Sequence, residues 1–297
     1  MYEEFYNLAC APFHNTPDSR FFFETEQHKE ALAKLEYTVR NRQGFALVTG
    51  EIGSGKTTLS RMLIRRMGQD ARVALINNTR VSSHQLLKLI AIEYGIETPA
   101  ICDKATLLTL IRRYIENQHS LGRYLVVIID EGQCLNIDEF EEIRLLTNLE
   151  NETEKLVQLL ILGQPELRKI LKHNRLTPLI QRIVMYTHLQ PMTFEETARY
   201  IEFRLLRAGK ERLDVDFSQQ ALHVIHERAA GIPRLVNLIC DNALLVGYSR
   251  DTHLVDSQIV TAAISQILPN FNDEPADIMA AAPPPGAGQE MDHGRRL

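Results

Sequence analysis

From residue 45 onward, short and nearly unbroken apolar runs alternate with amphipathic stretches. FALVTG, RVALIN, YLVVIID and LVQLLILG have the length and continuity of strands buried on both faces. Between them, SSHQLLKLIAIEYG, ATLLTLIRRYIENQHS and DEFEEIRLLTNLE repeat their apolar positions at helical spacing. A further helix runs from FALVTG through Met67, and another ends near Leu179, before the strand-like VMYTHLQ. The alternation predicts an α/β fold, a parallel sheet with helices on both faces. After 191 the pattern turns wholly helical, through FEETARYIEFRLLRAG, SQQALHVIHERAA, IPRLVNLICDNALLVGYS and SQIVTAAISQIL. Ahead of the sheet stand an aromatic cluster, Phe13 and Phe21 to Phe23, and HKEALAKLEYTVRNR with Leu32, Leu35 and Val39 on one face.

These patterns divide the chain into four. Residues 1–44 are expected to pack on the core, 45–191 to form the α/β unit and 192–268 the helical unit. Residues 269–297 are rich in Pro, Ala and Gly, offer no face to bury, and are expected to be disordered. With 297 residues, 44% of them hydrophobic, the chain can build a substantial core. Its 33 basic and 38 acidic residues leave a net charge of -5, which gives no bulk attraction to nucleic acid or an anionic membrane. Cys10, Cys102, Cys134 and Cys240 lack metal spacing and read as buried free thiols of a reducing compartment. The acidic start MYEEFYNLAC does not suit a signal peptide, and no run of 18 uncharged apolar residues occurs. A soluble cytoplasmic protein with no membrane span is expected.

One segment carries specific chemistry. GEIGSGKTT, comprising Gly50, Glu51, Ile52, Gly53, Ser54, Gly55, Lys56, Thr57 and Thr58, follows a strand and opens a helix. Its GxxxxGK[ST] spacing is that of a loop whose backbone N–H groups surround phosphates at a helix N-terminus. Lys56 would reach the β- and γ-phosphates of ATP, and the Thr57 hydroxyl would ligate Mg²⁺. The strand YLVVII then delivers Asp130 and Glu131 to the sheet edge at which ligands bind. Asp130 suits the Mg²⁺ shell. Glu131 suits a base that orients and deprotonates an attacking water, a contribution of about 10²–10⁴ in rate.

GEIGSGKTT and VVIIDEGQ resemble the Walker A and Walker B motifs of AAA+ ATPases. The opening from Tyr2 to Phe23, His28 with the EALAKLEY after it, LLILGQPELRKIL and GIPRLVN are similar to the ExeA/GspA and MshM group of secretion and pilus-biogenesis ATPases. The resemblance spans residues 1 to about 268. It implies a P-loop NTPase αβα sandwich followed by a helical AAA+ lid. It places Gln164 at the sensor 1 position, where Asn or Thr is more usual, and Arg234 at sensor 2. Arg182 falls at the arginine finger, acting in trans, with Arg175 as the competing finger. Phe21 to Phe23 and His28 are candidates for the border of the adenine, although core packing is the stronger reading for such aromatics.

The resemblance further implies ATP hydrolysis coupled to rearrangement of a homo-oligomer, a hexamer by family analogy. A small-molecule kinase would need an acceptor pocket that the sequence does not display. ExeA-type members often carry a transmembrane helix and a peptidoglycan-binding domain after the ATPase, and this sequence holds neither. The expectation is therefore an MshM-like member, peripheral at the inner membrane through a membrane-protein partner of a secretion, pilus or polysaccharide-export system. The alternative is a DNA-associated regulator of the TnsC/TniB kind. For that role Arg61, Arg65, Arg66, Arg112 and Arg113 are the basic candidates, and DNA is the partner.

Overall fold

The computed structural model describes residues 1–15, 19–77, 79–150, 154–210 and 213–267. The predicted disordered tail, 269–297, lies outside the described residues. Five strands, β1 (Phe45–Gly50), β2 (Ala71–Ile76), β3 (Tyr124–Ile129), β4 (Val157–Gly163) and β5 (Ile183–Leu189), pair in parallel in the order β2-β3-β4-β1-β5. Helices α1 (Tyr2–Phe5) and α2 (Glu26–Arg40) precede β1, and α3 (Lys56–Met67) follows it. Next come α4 (Ser83–Glu93), α5 (Lys104–Ser120) and α6 (Ile137–Leu146), then α7 (Leu167–Leu171) and α8 (Thr177–Ile180) ahead of β5. Helices α9 (Phe194–Ala208), α10 (Gln219–Ala229), α11 (Pro233–Ser249) and α12 (Ser257–Ile267) complete the order.

Strand position explains which runs were most legible. β1 and β4 are buried along their whole length, so every position is apolar or small except where a polar group finds a partner. The edge strands β2 and β5 alternate buried with partly exposed positions. Successive residues of β3 point to opposite faces. Val126 and Ile128 pack with Leu32, Leu35, Leu59 and Leu63 from α2 and α3. Val127 and Ile129 meet the α4, α5 and α6 side through Leu87, Ile111 and Phe140. Ser82, Asn136 and Thr193 start α4, α6 and α9 with reciprocal capping boxes.

Three sequence expectations are corrected. The helix expected to end near Leu179 is two short helices, because Pro178 begins a new first turn after the 3₁₀ turn Asn174–Leu176. The region after 191 is not wholly helical: β6 (Asp216–Phe217) and β7 (Leu254–Val255) form a small parallel pair. Of the four free thiols only Cys240 is buried, whereas Cys134, in the turn after Glu131, is exposed.

The N-terminal segment does not pack on the sheet as one piece. Helix α2 does, but Tyr2, Tyr6, Leu8, Phe13 and Phe21 join the core of the helical unit with Ile201, Leu205, Val236 and Ala243. Aromatic side chains bury large areas without any helical period, so their destination was not readable from spacing. The two tyrosine hydroxyls add fixed contacts: Tyr2 donates to Asp241 Oδ1 at 2.5 Å, and Tyr6 donates to the Leu244 and Thr252 carbonyls at 3.1 and 3.2 Å. Burial pushes the Tyr6 phenol up to about 12, so it remains a donor.

The buried Arg204 of α9 fastens this strap. Its Nε donates to the Pro12 carbonyl at 2.5 Å and its Nη2 to the His14 carbonyl at 3.1 Å. Nη1 donates to Tyr200 Oη at 2.8 Å and Asn237 Oδ1 at 3.2 Å, and the guanidinium lies 4.9 Å from the Phe21 ring centre. Replacing Arg204 by Met keeps most of the bulk and removes every donor. Leaving buried acceptors unpaired costs about 1–3 kcal/mol, so the urea midpoint should fall. An unchanged midpoint would show that the strap is not held by Arg204.

Candidate functional site

The site grows from β1. At its C-terminal end the chain turns through Gly50 to Gly55 and re-enters α3 at Lys56, so the first N–H groups of that helix open toward a cleft. Gly53 adopts φ 81°, and a Cβ there would stand 2.4 Å from Cβ of Arg234. Arg234, in the first turn of α11, thus lies directly over the loop. Glycine is required at 53 on both counts, backbone and space.

Lys56 is buried, and its ammonium donates to the carbonyls of Gly50 and Glu51, both at 2.8 Å. Burial pulls its pKa below the usual lysine value, while the carboxylates of Glu131 and Asp130 act in the opposite direction. Thr57 Oγ1 donates to Asp130 Oδ2 at 2.5 Å. Ser54 Oγ is buried and has no hydrogen-bond partner.

β3 delivers the acidic pair to the same edge. Asp130 is buried, and its Oδ1 accepts from the Glu131 amide at 2.9 Å. Glu131 takes a left-handed backbone, φ 55°, which swings its side chain out of the strand direction. Its Oε2 accepts from the amides of Gln133 and Gln164, the latter at 3.3 Å, while the Gln164 backbone N–H donates to Gln133 Oε1 at 3.0 Å. The end of β4 therefore brings Gln164 to Glu131. Gln133 was not singled out from the sequence, where it reads only as the residue two past the acidic pair.

The cleft has a volume of about 350 Å³, within the roughly 300–1,000 Å³ typical of small-molecule sites. Three parts of the chain wall it: the loop Ile52 to Thr58 with Glu131, the strap with Phe21 to Phe23 and His28, and Tyr200, Arg204, Arg234 and Asn237 of the helical unit. The aromatics assigned to core packing thus divide their roles, since Phe21 is both buried in the helical core and a wall of the cleft. Tyr200, Arg204 and Asn237 were missed because a buried arginine on an amphipathic helix looks like a solvated one. The two candidate fingers are not brought to the cleft: Arg182 donates to Thr147 Oγ1 at 3.2 Å and to Asn148 Oδ1, and Arg175 pairs with Asp138 at 2.9 Å.

These groups fit a nucleotide with a hard cation. An ammonium bonded to its own loop, an orphaned buried hydroxyl and a helix N-terminus are donors awaiting an anion. Among the described residues no group of three or more His, Cys, Asp or Glu could hold a metal alone. Thr57 and Asp130 supply two oxygen ligands, which suits Mg²⁺, an ion that takes its remaining ligands from phosphate and water.

Residues 39–171 match the family model described as AAA domain. Over 264 residues, 89% of this chain, the sequence is 38% identical to general secretion pathway protein A of Aeromonas hydrophila, of which it covers 48%. The chain thus spans about half the length of that relative. In fold it is similar to the Aeropyrum pernix ORC2 protein in ADPNP-ADP complexes (TM-score 0.64, 18% identity, 84% of this chain and 72% of that one). It is likewise similar to Cdc6p of Pyrobaculum aerophilum (TM-score 0.65, 18% identity, 86% and 70%). Residues 39–171 thus carry an AAA domain, built on a five-stranded parallel sheet and followed by a helical C-terminal part, and most of the chain is homologous to part of general secretion pathway protein A.

Proposed function

We propose that this chain hydrolyses ATP to ADP and phosphate and couples that cycle to rearrangement of a homo-oligomer. The observation that carries the reading is the convergence of Lys56, Thr57, Asp130, Glu131 and Arg234 on one cleft. In it, the loop N–H groups bind the phosphates, and Lys56 exchanges its contacts with Gly50 and Glu51 for phosphate oxygens. Thr57 and Asp130 would hold Mg²⁺, which would neutralise charge on the phosphates. Glu131 orients a water in line with the γ-phosphorus and takes its proton as the new P–O bond forms and the bond to the β-phosphate oxygen breaks. Gln164 positions Glu131 or that water, and Arg234 reports the phosphate state to the helical lid.

Arg182 completes the site from a neighbouring protomer. Its bonds to Thr147 and Asn148 hold it on the face beyond α6, away from its own cleft. An arginine acting in trans contributes about 10³–10⁵ in turnover. A ring of six is the arrangement proposed.

The relation to general secretion pathway protein A supports a cytoplasmic role in assembling a secretion, pilus or polysaccharide-export apparatus, in contact with a membrane protein. No helix among the described residues is long and apolar enough to cross a membrane. The DNA-associated reading draws on basic residues that are partly engaged: Arg66 pairs with Glu24 at 2.9 Å and Arg112 with Glu116 at 2.8 Å.

Glu131→Gln should bind ATP normally and lose steady-state hydrolysis by about 10²-fold or more; retained turnover would remove Glu131 from the role of base. Lys56→Ala should lose nucleotide binding in equilibrium titration, and retained affinity would overturn the phosphate loop. Mixing Arg182→Ala protomers with Lys56→Ala protomers should restore part of the activity that each lacks. Absence of recovery counts against a finger in trans.

A further inference from the structure

His28 is the least explained group around the cleft. It lies in the first turn of α2, is 5% exposed, and meets the Phe22 ring edge-on at 5.7 Å. Thr25, the N-cap of α2, accepts the His28 backbone N–H and stands 2.6 Å from Nδ1 of the same residue. A threonine hydroxyl has one proton. Thr25 Oγ1 already accepts from a backbone N–H; donation of its own proton to Nδ1 uses the one donor it has, and in that arrangement the ring proton sits on Nε2. Burial lowers the ring's pKa and keeps it neutral, an effect opposed by the Ser54 backbone and by Glu196 and Glu24.

Nε2 is the unsatisfied end. It is buried without a hydrogen-bond partner and lies 3.0 Å from the position a Cβ would take on Gly55. The peptide that joins Ser54 to Gly55 lies beside it. A trans peptide is planar, with its C=O and N–H pointing in opposite directions. A donor that draws the Ser54 carbonyl toward α2 must therefore turn the Gly55 N–H the other way, into the phosphate cradle.

We propose that His28 is a positioning residue for the phosphate loop: its Nε2–H captures the Ser54 carbonyl when nucleotide binds and fixes the Gly55 N–H on the phosphates. This rests on the nucleotide reading of the cleft. It gives the strap a direct connection to the loop, because the turn that carries Thr25 and His28 follows immediately on Phe21 to Phe23. Gly55 at φ 96° fits the same account, since any side chain there would displace the imidazole.

The test is equilibrium binding of a fluorescent ATP analogue with Mg²⁺ to the full chain, beside nucleotide-free melting. Binding by the unaltered chain and its loss in Lys56→Ala check the nucleotide reading separately; failure there overturns both. His28→Phe keeps the ring's bulk and its contact with Phe22 but removes the donor. It should weaken binding about tenfold, the worth of one well-placed hydrogen bond, with little change in melting. His28→Gln, whose amide reaches the position of Nε2, should bind within about threefold of the unaltered chain, on the same hydrogen-bond scale. His28→Asn, which replaces only Nδ1, should behave like His28→Phe. Unchanged affinity in His28→Phe, or a loss in His28→Gln equal to it, overturns the proposal. Nitrogen-15 spectra of the unaltered imidazole give a readout independent of folding: the Nε2–H tautomer should be present, with Nε2 shifting on nucleotide addition. An Nδ1–H tautomer overturns the proposal.

Discussion

Parallel pairing of β1 between β4 and β5 constrains the rest of the molecule. Flanked on both sides and covered on both faces, β1 has no freedom at its C-terminal end, where Thr49 stands opposite Gly163 and His188. The chain must leave the sheet through a turn tight enough to start α3 within six residues. A turn of that sharpness exposes several backbone N–H groups at once and buries Lys56 beside two carbonyls. The concentration of donors is thus a consequence of topology, and the same edge receives Gln164 from β4 and Asp130 with Glu131 from β3.

The helical unit reaches this edge by two routes. Arg234 lies over Gly53 from α11, and the strap runs from the helical core, through Phe21 to Phe23, into α2 on the sheet. Arg204 joins the routes, bonding the strap carbonyls and Asn237 of α11 while it lines the cleft. A ligand between Arg234 and the aromatics therefore touches both attachments of the helical unit. Such an arrangement can convert occupancy of the cleft into a lid position, provided the ligand binds one lid position better than another.

How much of this was legible follows from physics at particular residues. The sheet was readable because strands buried on both faces must be apolar throughout, and the loop because few residue types tolerate its backbone and supply its donors. Asp130 and Glu131 could be located by their place at a strand end, and Gln164 and Arg234 through the resemblance to a known family. Tyr6, Arg204 and Asn237 could not, because their meaning lies in partners at sequence separations of 33 to 246 residues. Gln133 escaped for the opposite reason: it is so near Glu131 that it reads as mere loop.

That glutamine alters how the acidic edge should be understood. Glu131 is tied through one oxygen to two neutral amides, and one of these, Gln164, is tied back to Gln133 through its own backbone N–H. The three residues form a closed set that needs no cation and no nucleotide. Both bonds fall on Oε2, so Oε1 keeps its acceptor sites for a water. Of the two amides, Gln164, at 3.3 Å and at the end of a strand beside β1, is the one better placed to turn toward a phosphate. The departure from the more usual Asn or Thr at this position then has a physical meaning. On the proposed reading of Glu131 as the base, a glutamine has the reach to hold it from the end of β4.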